Sequence, residues 1–344
     1  MQKMKALVTA EVVRDTLETA LSDRFTFVYD GYHLDHKVMP HAELVEKIRD
    51  VDVLICEYDT VSADVFDAAQ RLKLIICCRG GVKTVVDLDK AKEKGVVVCH
   101  NGGRNANAVT DMAMGYMLDL TRNITRTNNL IHDRVITADV STKPAEYQDT
   151  VWGLDAQSPF IQYRGRSINH MTLGIVGFGF AGRLMAKKAH AFDMRTIVYD
   201  PYSDFRDKPD YAQVVSLREL LEQSDVLSAH CTFTPQTKDM FNKHLFANMK
   251  KGAYFINTSR GELVVEEDLI ADLQSGQLAG AAIDVTRKEP ISADNPLLEA
   301  PNLIITPHIA GSAFDVQYCG TNMVIASLTD YINGKKPTNT VVYN

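Results

Sequence analysis

The sequence has 344 residues, 45% of them hydrophobic and 24% charged, with a formal net charge of -7 at pH 7. Such a length exceeds what one hydrophobic core usually supports, so two domains are expected. The acidic balance, without any cluster of Lys and Arg, speaks against a nucleic-acid partner, and no apolar run approaches the length of a membrane span.

Residues 1–100 alternate β-rich runs with amphipathic segments, the pattern of a parallel sheet covered by helices. Strands are expected at Lys5–Val8, Phe25–Val28, Val53–Cys56, Leu74–Cys78 and Val96–Cys99, with helices at Ala42–Arg49 and Ala63–Leu72, the second capped by Ser62. From Asn105 to Asn129 the spacing of Ala106, Val109, Ala113, Met117 and Leu120 predicts one long helix able to bridge two domains. The stretch Ala145–Arg166, broken by Gly153, Pro159 and Gly165 and holding the single tryptophan, Trp152, is read as a loop. A second α/β series follows, with strands near Thr172–Val176, Thr196–Tyr199, Asp225–His230, Ala253–Asn257, Ala279–Val285 and Leu303–Thr306. A last helix is expected over Ser312–Asn333.

Residues Gly177, Gly179 and Gly182 supply a G-x-G-x-x-G pattern between a strand and a helix expected over Ala181–Phe192. The spacing suits a dinucleotide: a tight turn at Gly177, close approach of backbone to pyrophosphate at Gly179, and close helix-to-strand packing at Gly182. Phe180, Ala181 and Gly182 head the helix, where free N–H groups favour phosphate. Asp200 ends the next strand, 18 residues after Gly182, where a carboxylate can bind the adenosine ribose and repel a 2′-phosphate, so NAD is favoured over NADP.

In an open parallel sheet ligands bind beyond the carboxyl ends of the strands, and here polar residues recur at those ends. They are Cys231-Thr232, Thr258-Ser259-Arg260-Gly261, Asp284, and Pro307-His308-Ile309-Ala310-Gly311. The six cysteines show no C-x-x-C or Cys/His spacing, so no metal is expected and reduced thiols in a cytoplasmic protein are the reading. The amino terminus does not read as a signal peptide.

The chain resembles the D-isomer-specific 2-hydroxyacid dehydrogenase family. The resemblance rests on Val86-Asp87-Leu88, Gly174 to Gly182, Met249 to Gly261, Gly280 to Val285, Glu289-Pro290 and Thr306-Pro307-His308, in that order and spacing. It implies an NAD-binding Rossmann domain, 122–309, inserted into a flavodoxin-like substrate domain, 1–121 with 310–344, and a homodimer. It also implies hydride transfer between NAD(H) and a 2-oxo acid and its D-2-hydroxy acid. Arg260 grips the substrate carboxylate, His308 exchanges the proton, and Glu289 orients the imidazole and stabilises its charged form. Asp284 is expected on the nicotinamide carboxamide, with Ala310-Gly311 beside the ring. Arg79-Gly80-Gly81 matches the loop that offers N–H groups to the substrate carboxylate. Arg79, Lys83-Thr84, Asn101-Gly102-Gly103, Thr110-Asp111 and Cys231 depart from the common pattern, and the extra cations suggest a phosphorylated or dicarboxylic substrate. The alternatives are a phosphoglycerate dehydrogenase, with no regulatory domain expected after Asn344, and an NAD-sensing binding protein of the corepressor kind. His170, His190, His230 and His244 are read as structural, and Arg164 and Arg166 as belonging to a loop near the dimer contact.

Overall fold

The structure is a computed structural model that describes residues 3–136, 156 and 158–341. Trp152 and the part of the expected loop before residue 156 lie outside the described residues. The chain divides into two compact units, Met1–Asn105 with Ser312–Asn344, and Ala106–Gly311.

The first unit holds five parallel strands, β1 (Met4–Val8), β2 (Phe25–Tyr29), β3 (Val53–Cys56), β4 (Leu74–Cys77) and β5 (Val97–His100), in the order β2-β1-β3-β4-β5. Strands β3 and β4 are buried at every position, because an inner parallel strand has helices on both faces and so reads as a continuous apolar run. Helix Phe314–Ile332 returns from the far end of the sequence, and its Val324 and Leu328 pack with Ala6, Val8 and Ile55. Ser62 sits at the head of helix Ala63–Ala68, but its hydroxyl donates to the Asp64 carboxylate (2.6 Å) and caps no backbone N–H, which corrects the expected cap.

The second unit holds seven parallel strands: β6 (Thr172–Val176), β7 (Arg195–Tyr199), β8 (Ala212–Val214), β9 (Val226–Ala229), β10 (Ala253–Asn257), β11 (Leu278–Ile283) and β12 (Leu303–Ile305). Their order is β12-β11-β10-β9-β6-β7-β8. The winding reverses between β6 and β9, and the carboxyl end of such a reversal is where an open parallel sheet binds its ligands. Helix Phe180–Ala191 packs Met185, Ala186 and Ala189 into one core with Ala113, Met114 and Met117 of helix Ala106–Arg122. The latter helix therefore groups with the second unit throughout its length, whereas the sequence reading divides the chain after residue 121.

The single helix expected over Asn105–Asn129 is two helices, Ala106–Arg122 and Ile124–His132. Asn123 between them is left-handed (φ 56°), a conformation that Asn tolerates better than most residues. Its amide donates to the Tyr163 carbonyl (3.2 Å), while Asp119 accepts from the Thr125 N–H (2.7 Å) and so opens the second helix. Within the expected loop, Pro159–Gln162 forms one helical turn begun by its proline. Among the described residues no helix is long and apolar enough to cross a membrane.

Candidate active site

Between β6 and helix Phe180–Ala191 the chain makes the glycine turn. Gly177 is left-handed (φ 94°), and a Cβ there would lie 2.5 Å from the Cys231 nitrogen. A Cβ on Gly182 would lie 2.1 Å from the Gly177 carbonyl oxygen, whereas one on Gly179 would meet nothing within 4 Å. The first glycine thus packs the turn against the backbone that follows β9, the third packs the helix against the turn itself, and the second leaves open space before the helix. The N–H groups of Phe180, Ala181 and Gly182 have no acceptor among the described residues, and their dipoles favour an anion in that space. Two substitutions separate these roles. Gly182→Ala is expected to cost about 1–3 kcal/mol of stability in urea melts, because backbone must move. Gly179→Ala is expected to melt as the parent does while weakening NADH binding in a fluorescence titration.

Asp200, at the end of β7, turns back onto the same loop. One oxygen accepts from the Phe178 N–H (2.7 Å) and the other from Tyr202 N–H (2.9 Å), which fixes the carboxylate beside the glycine turn. After β9, burial pushes the Cys231 thiol up to about 11, with the Asp200 charge adding to the effect, so it is a neutral S–H. Thr232 is exposed, and its carbonyl accepts from Thr237 Oγ1 (2.8 Å).

The loop after β10 is organised by Asn257, a fully buried residue not singled out by its sequence position. Its Oδ1 accepts from the Ser259 N–H (3.0 Å), and its Nδ2 donates to the Arg260 carbonyl (2.9 Å). Ser259 Oγ donates to the Ala229 carbonyl (3.0 Å), tying the loop to β9. Thr258 Oγ1 is buried without a partner among the described residues, a hydroxyl that a bound molecule could satisfy. Arg260 extends into solvent with Nη1 on the Ser259 carbonyl (2.6 Å), and it has no carboxylate partner among the described residues.

A continuous set of contacts leads from that loop to the histidine. A Cβ on Gly261 would lie 2.1 Å from the Thr286 carbonyl carbon and oxygen, so the two backbones touch. The Thr286 N–H donates to Glu289 Oε1 (3.2 Å), and Glu289 Oε2 lies 2.7 Å from His308 Nδ1. A carboxylate only accepts, so Nδ1 carries a proton and Nε2 is the nitrogen left to face a reactant. Both side chains are partly exposed, 46% for His308 and 38% for Glu289, and therefore reachable.

His308 itself is left-handed (φ 55°), an uncommon state for a residue with a Cβ that persists where neighbours hold it. Asp284, 1% exposed, is that neighbour. Its carbonyl accepts from the His308 N–H (2.7 Å); its Oδ1 accepts from Thr306 Oγ1 (2.5 Å) and the Ile309 N–H (2.9 Å), and its Oδ2 from the Ala310 N–H (2.7 Å). Asp284 thus holds Thr306 and the turn 308–310 together. Ala310 is buried and Gly311 follows it at the end of the second unit. Thr306 and Asn257 are the site residues that sequence reasoning missed. Each is a polar residue at or just after the end of a strand, and that position was the available signal.

In the first unit, Arg79, Gly80 and Gly81 follow β4. The Arg79 guanidinium lies 5.1 Å over the Tyr58 ring, with no carboxylate partner among the described residues. The N–H groups of Gly80 and Gly81 likewise have no acceptor there, and a Cβ on Gly81 would meet nothing within 4 Å. Elsewhere, His230 is shielded, which lowers its pKa to about 4, and its Nε2 lies 3.0 Å from Ser228 Oγ. His190 stacks on Tyr211 at 4.3 Å. Among the described residues no cluster of three or more His, Cys, Asp or Glu is placed to hold a metal.

The family model for the D-isomer specific 2-hydroxyacid dehydrogenase NAD binding domain matches residues 114–310. A hydroxypyruvate reductase of Blautia hydrogenotrophica is 31% identical over 299 residues, covering 87% of this chain and 87% of the relative. A glyoxylate reductase of Thermofilum pendens is 32% identical over 298 residues, covering 86% of this chain and 82% of the relative. Among solved structures, the D-lactate dehydrogenase of Aquifex aeolicus complexed with NAD and lactic acid aligns with a TM-score of 0.68 at 25% identity, covering 99% of each chain.

Proposed function

The chain belongs to the D-isomer specific 2-hydroxyacid dehydrogenase family, and we propose that Arg260, Glu289 and His308 carry out its chemistry. Its activity is hydride transfer between NAD(H) and a 2-oxo acid and 2-hydroxy acid pair. The observation that carries the assignment of roles is the 2.7 Å contact of His308 Nδ1 with Glu289, which leaves Nε2 free as the proton donor.

Bound NADH supplies a hydride to the carbonyl carbon of the oxo acid. The carbonyl π bond breaks as the new C–H bond forms, and negative charge gathers on oxygen. His308 Nε2 donates the proton that neutralises this charge, and in the reverse direction the neutral imidazole takes the hydroxyl proton back. Glu289 keeps the ring in the tautomer that this requires. Arg260 meets the substrate carboxylate with its fork of donors, fixing the carbonyl relative to the hydride donor. Gly80 and Gly81 in the first unit offer unpaired N–H groups of the kind that suit a carboxylate, and Arg79 adds a cation beside them.

For the cofactor we assign the pyrophosphate to Gly177, Gly179, Phe180, Ala181 and Gly182, and the adenosine ribose to Asp200. Cys231, Thr232, Thr258, Ser259, Asp284, Ala310 and Gly311, with Arg260 and His308, line the remainder. The fixed Asp200 carboxylate and the open space before Phe180 support that reading. Asp200→Ala is expected to lower the preference for NADH over NADPH in kcat/KM by about tenfold, since a carboxylate that repels the 2′-phosphate is gone. An unchanged preference would remove Asp200 from this role.

Ile124 and Ile131, both in helix Ile124–His132 and each more than half exposed, support a homodimer. All six cysteines are unpaired, which supports a reducing, cytoplasmic setting. The reaction is tested by following NADH absorbance with hydroxypyruvate, glyoxylate and a phosphorylated 2-oxo acid in turn. Consumption of NADH with at least one of them is expected; its absence with all would overturn the assignment of roles.

A further inference from the structure

We propose that Tyr116, acting through Thr306 and Asp284, is a positioning residue for the imidazole of His308. The inference rests on the assignment of His308 as proton donor.

Tyr116 lies within helix Ala106–Arg122 at 5% exposure, and a buried phenol needs a hydrogen-bond partner. Its hydroxyl is bonded to Thr306 Oγ1. The direction of the bonds follows from the last member of the chain. Asp284 Oδ1 accepts, so the Thr306 hydroxyl donates to it at 2.5 Å, and the Thr306 oxygen is left to accept from Tyr116. The same carboxylate accepts from the Ile309 and Ala310 N–H groups, and the Asp284 carbonyl accepts from the His308 N–H. One aspartate therefore grips three consecutive residues of the catalytic turn, and two hydroxyls fix that aspartate.

The turn has particular need of such support. His308 is held in the left-handed region, which residues with a Cβ leave unless the surroundings over-determine it. Without the Tyr116 hydroxyl, Thr306 is free to rotate away from Oδ1, and Asp284 can relax toward the two N–H groups alone. Burial pushes the Tyr116 phenol up to about 12, so it remains a donor throughout the neutral range. Packing of the ring is a separate contribution, and phenylalanine preserves it.

The test compares the full-length parent with Tyr116→Phe, Thr306→Val and Thr306→Ser. Two readouts are used: the ¹H–¹⁵N correlations of the His308 ring, which need no turnover, and steady-state reduction of the oxo acid by NADH and by C4-deuterated NADH. Tyr116→Phe is expected to shift the His308 ring signals and to lower kcat about fivefold, the equivalent of one net hydrogen bond. The KM for the oxo acid stays within about twofold and the deuterium isotope effect rises. Thr306→Val reproduces these changes, and Thr306→Ser reverses most of them. Parent-like ring signals and kcat in Tyr116→Phe would overturn the proposal. If that variant does not fold, equal behaviour of the Val and Ser variants at 306 would overturn it instead. A parent protein that oxidises NADH with no 2-oxo acid points to failure of the assigned chemistry, while the ring signals still decide the positioning role.

Discussion

His308→Asn is expected to lower kcat for oxo-acid reduction by about 10²–10⁴, the usual share of a positioned general acid. Asparagine keeps a polar group of moderate size and tolerates the left-handed backbone found at this position, so the turn survives the change. What it lacks is a proton that can leave. NADH affinity should fall far less than kcat, because the glycine turn and Asp200, assigned to the pyrophosphate and ribose, are untouched by the change. A variant that binds NADH normally but reduces the oxo acid at the parent rate would show that the proton comes from another source.

Arg260→Ala is expected to lower kcat/KM by about 10²–10³, with most of the loss in KM. An arginine meeting a carboxylate through two parallel N–H bonds makes among the stronger polar contacts available, and truncating such a partner costs about 2–5 kcal/mol. Arg260→Lys should recover only part of the loss, since an ammonium presents no planar fork. The side chain is exposed and free of carboxylate partners among the described residues, so its removal should leave the melting temperature nearly unchanged. A lysine variant equal to the parent would argue for charge alone, and an alanine variant with an unchanged KM would remove Arg260 from substrate binding.

Much of the fold was legible because inner parallel strands are buried on both faces. Val53–Cys56 and Leu74–Ile76 are continuous apolar runs, and they pair as neighbours in the sheet. The third strand of the second sheet, Ala212–Val214, left no such trace: three residues at a sheet edge need little apolar content. Nor was the break at Asn123 readable from periodicity, because it is set by the Asp119 carboxylate and the Tyr163 carbonyl, groups that no local spacing identifies.

The site was legible to different depths. The role of Gly182 follows from the close approach within a strand-turn-helix, whereas the tightest contacts at Gly177 are with His230 and Cys231, which no local spacing identifies. Pairing of Glu289 with His308 spans 19 positions and came from resemblance rather than from spacing. The bond between Tyr116 and Thr306 spans 190 positions and appears only when a helix and a strand end meet in space. Asp284 shows a further limit: its hold on the backbone of residues 308–310 cannot be read from residue type and position.

The central claim is that hydride passes from NADH to C2 of a 2-oxo acid while His308 supplies the proton. Incubating the protein with hydroxypyruvate and NADH deuterated at both C4 positions, then resolving the product by chiral chromatography and mass spectrometry, tests this most directly. The expected result is the D-2-hydroxy acid carrying a single deuterium at C2, formed by the parent and nearly absent with His308→Asn. An L product, or a product without deuterium, would contradict it.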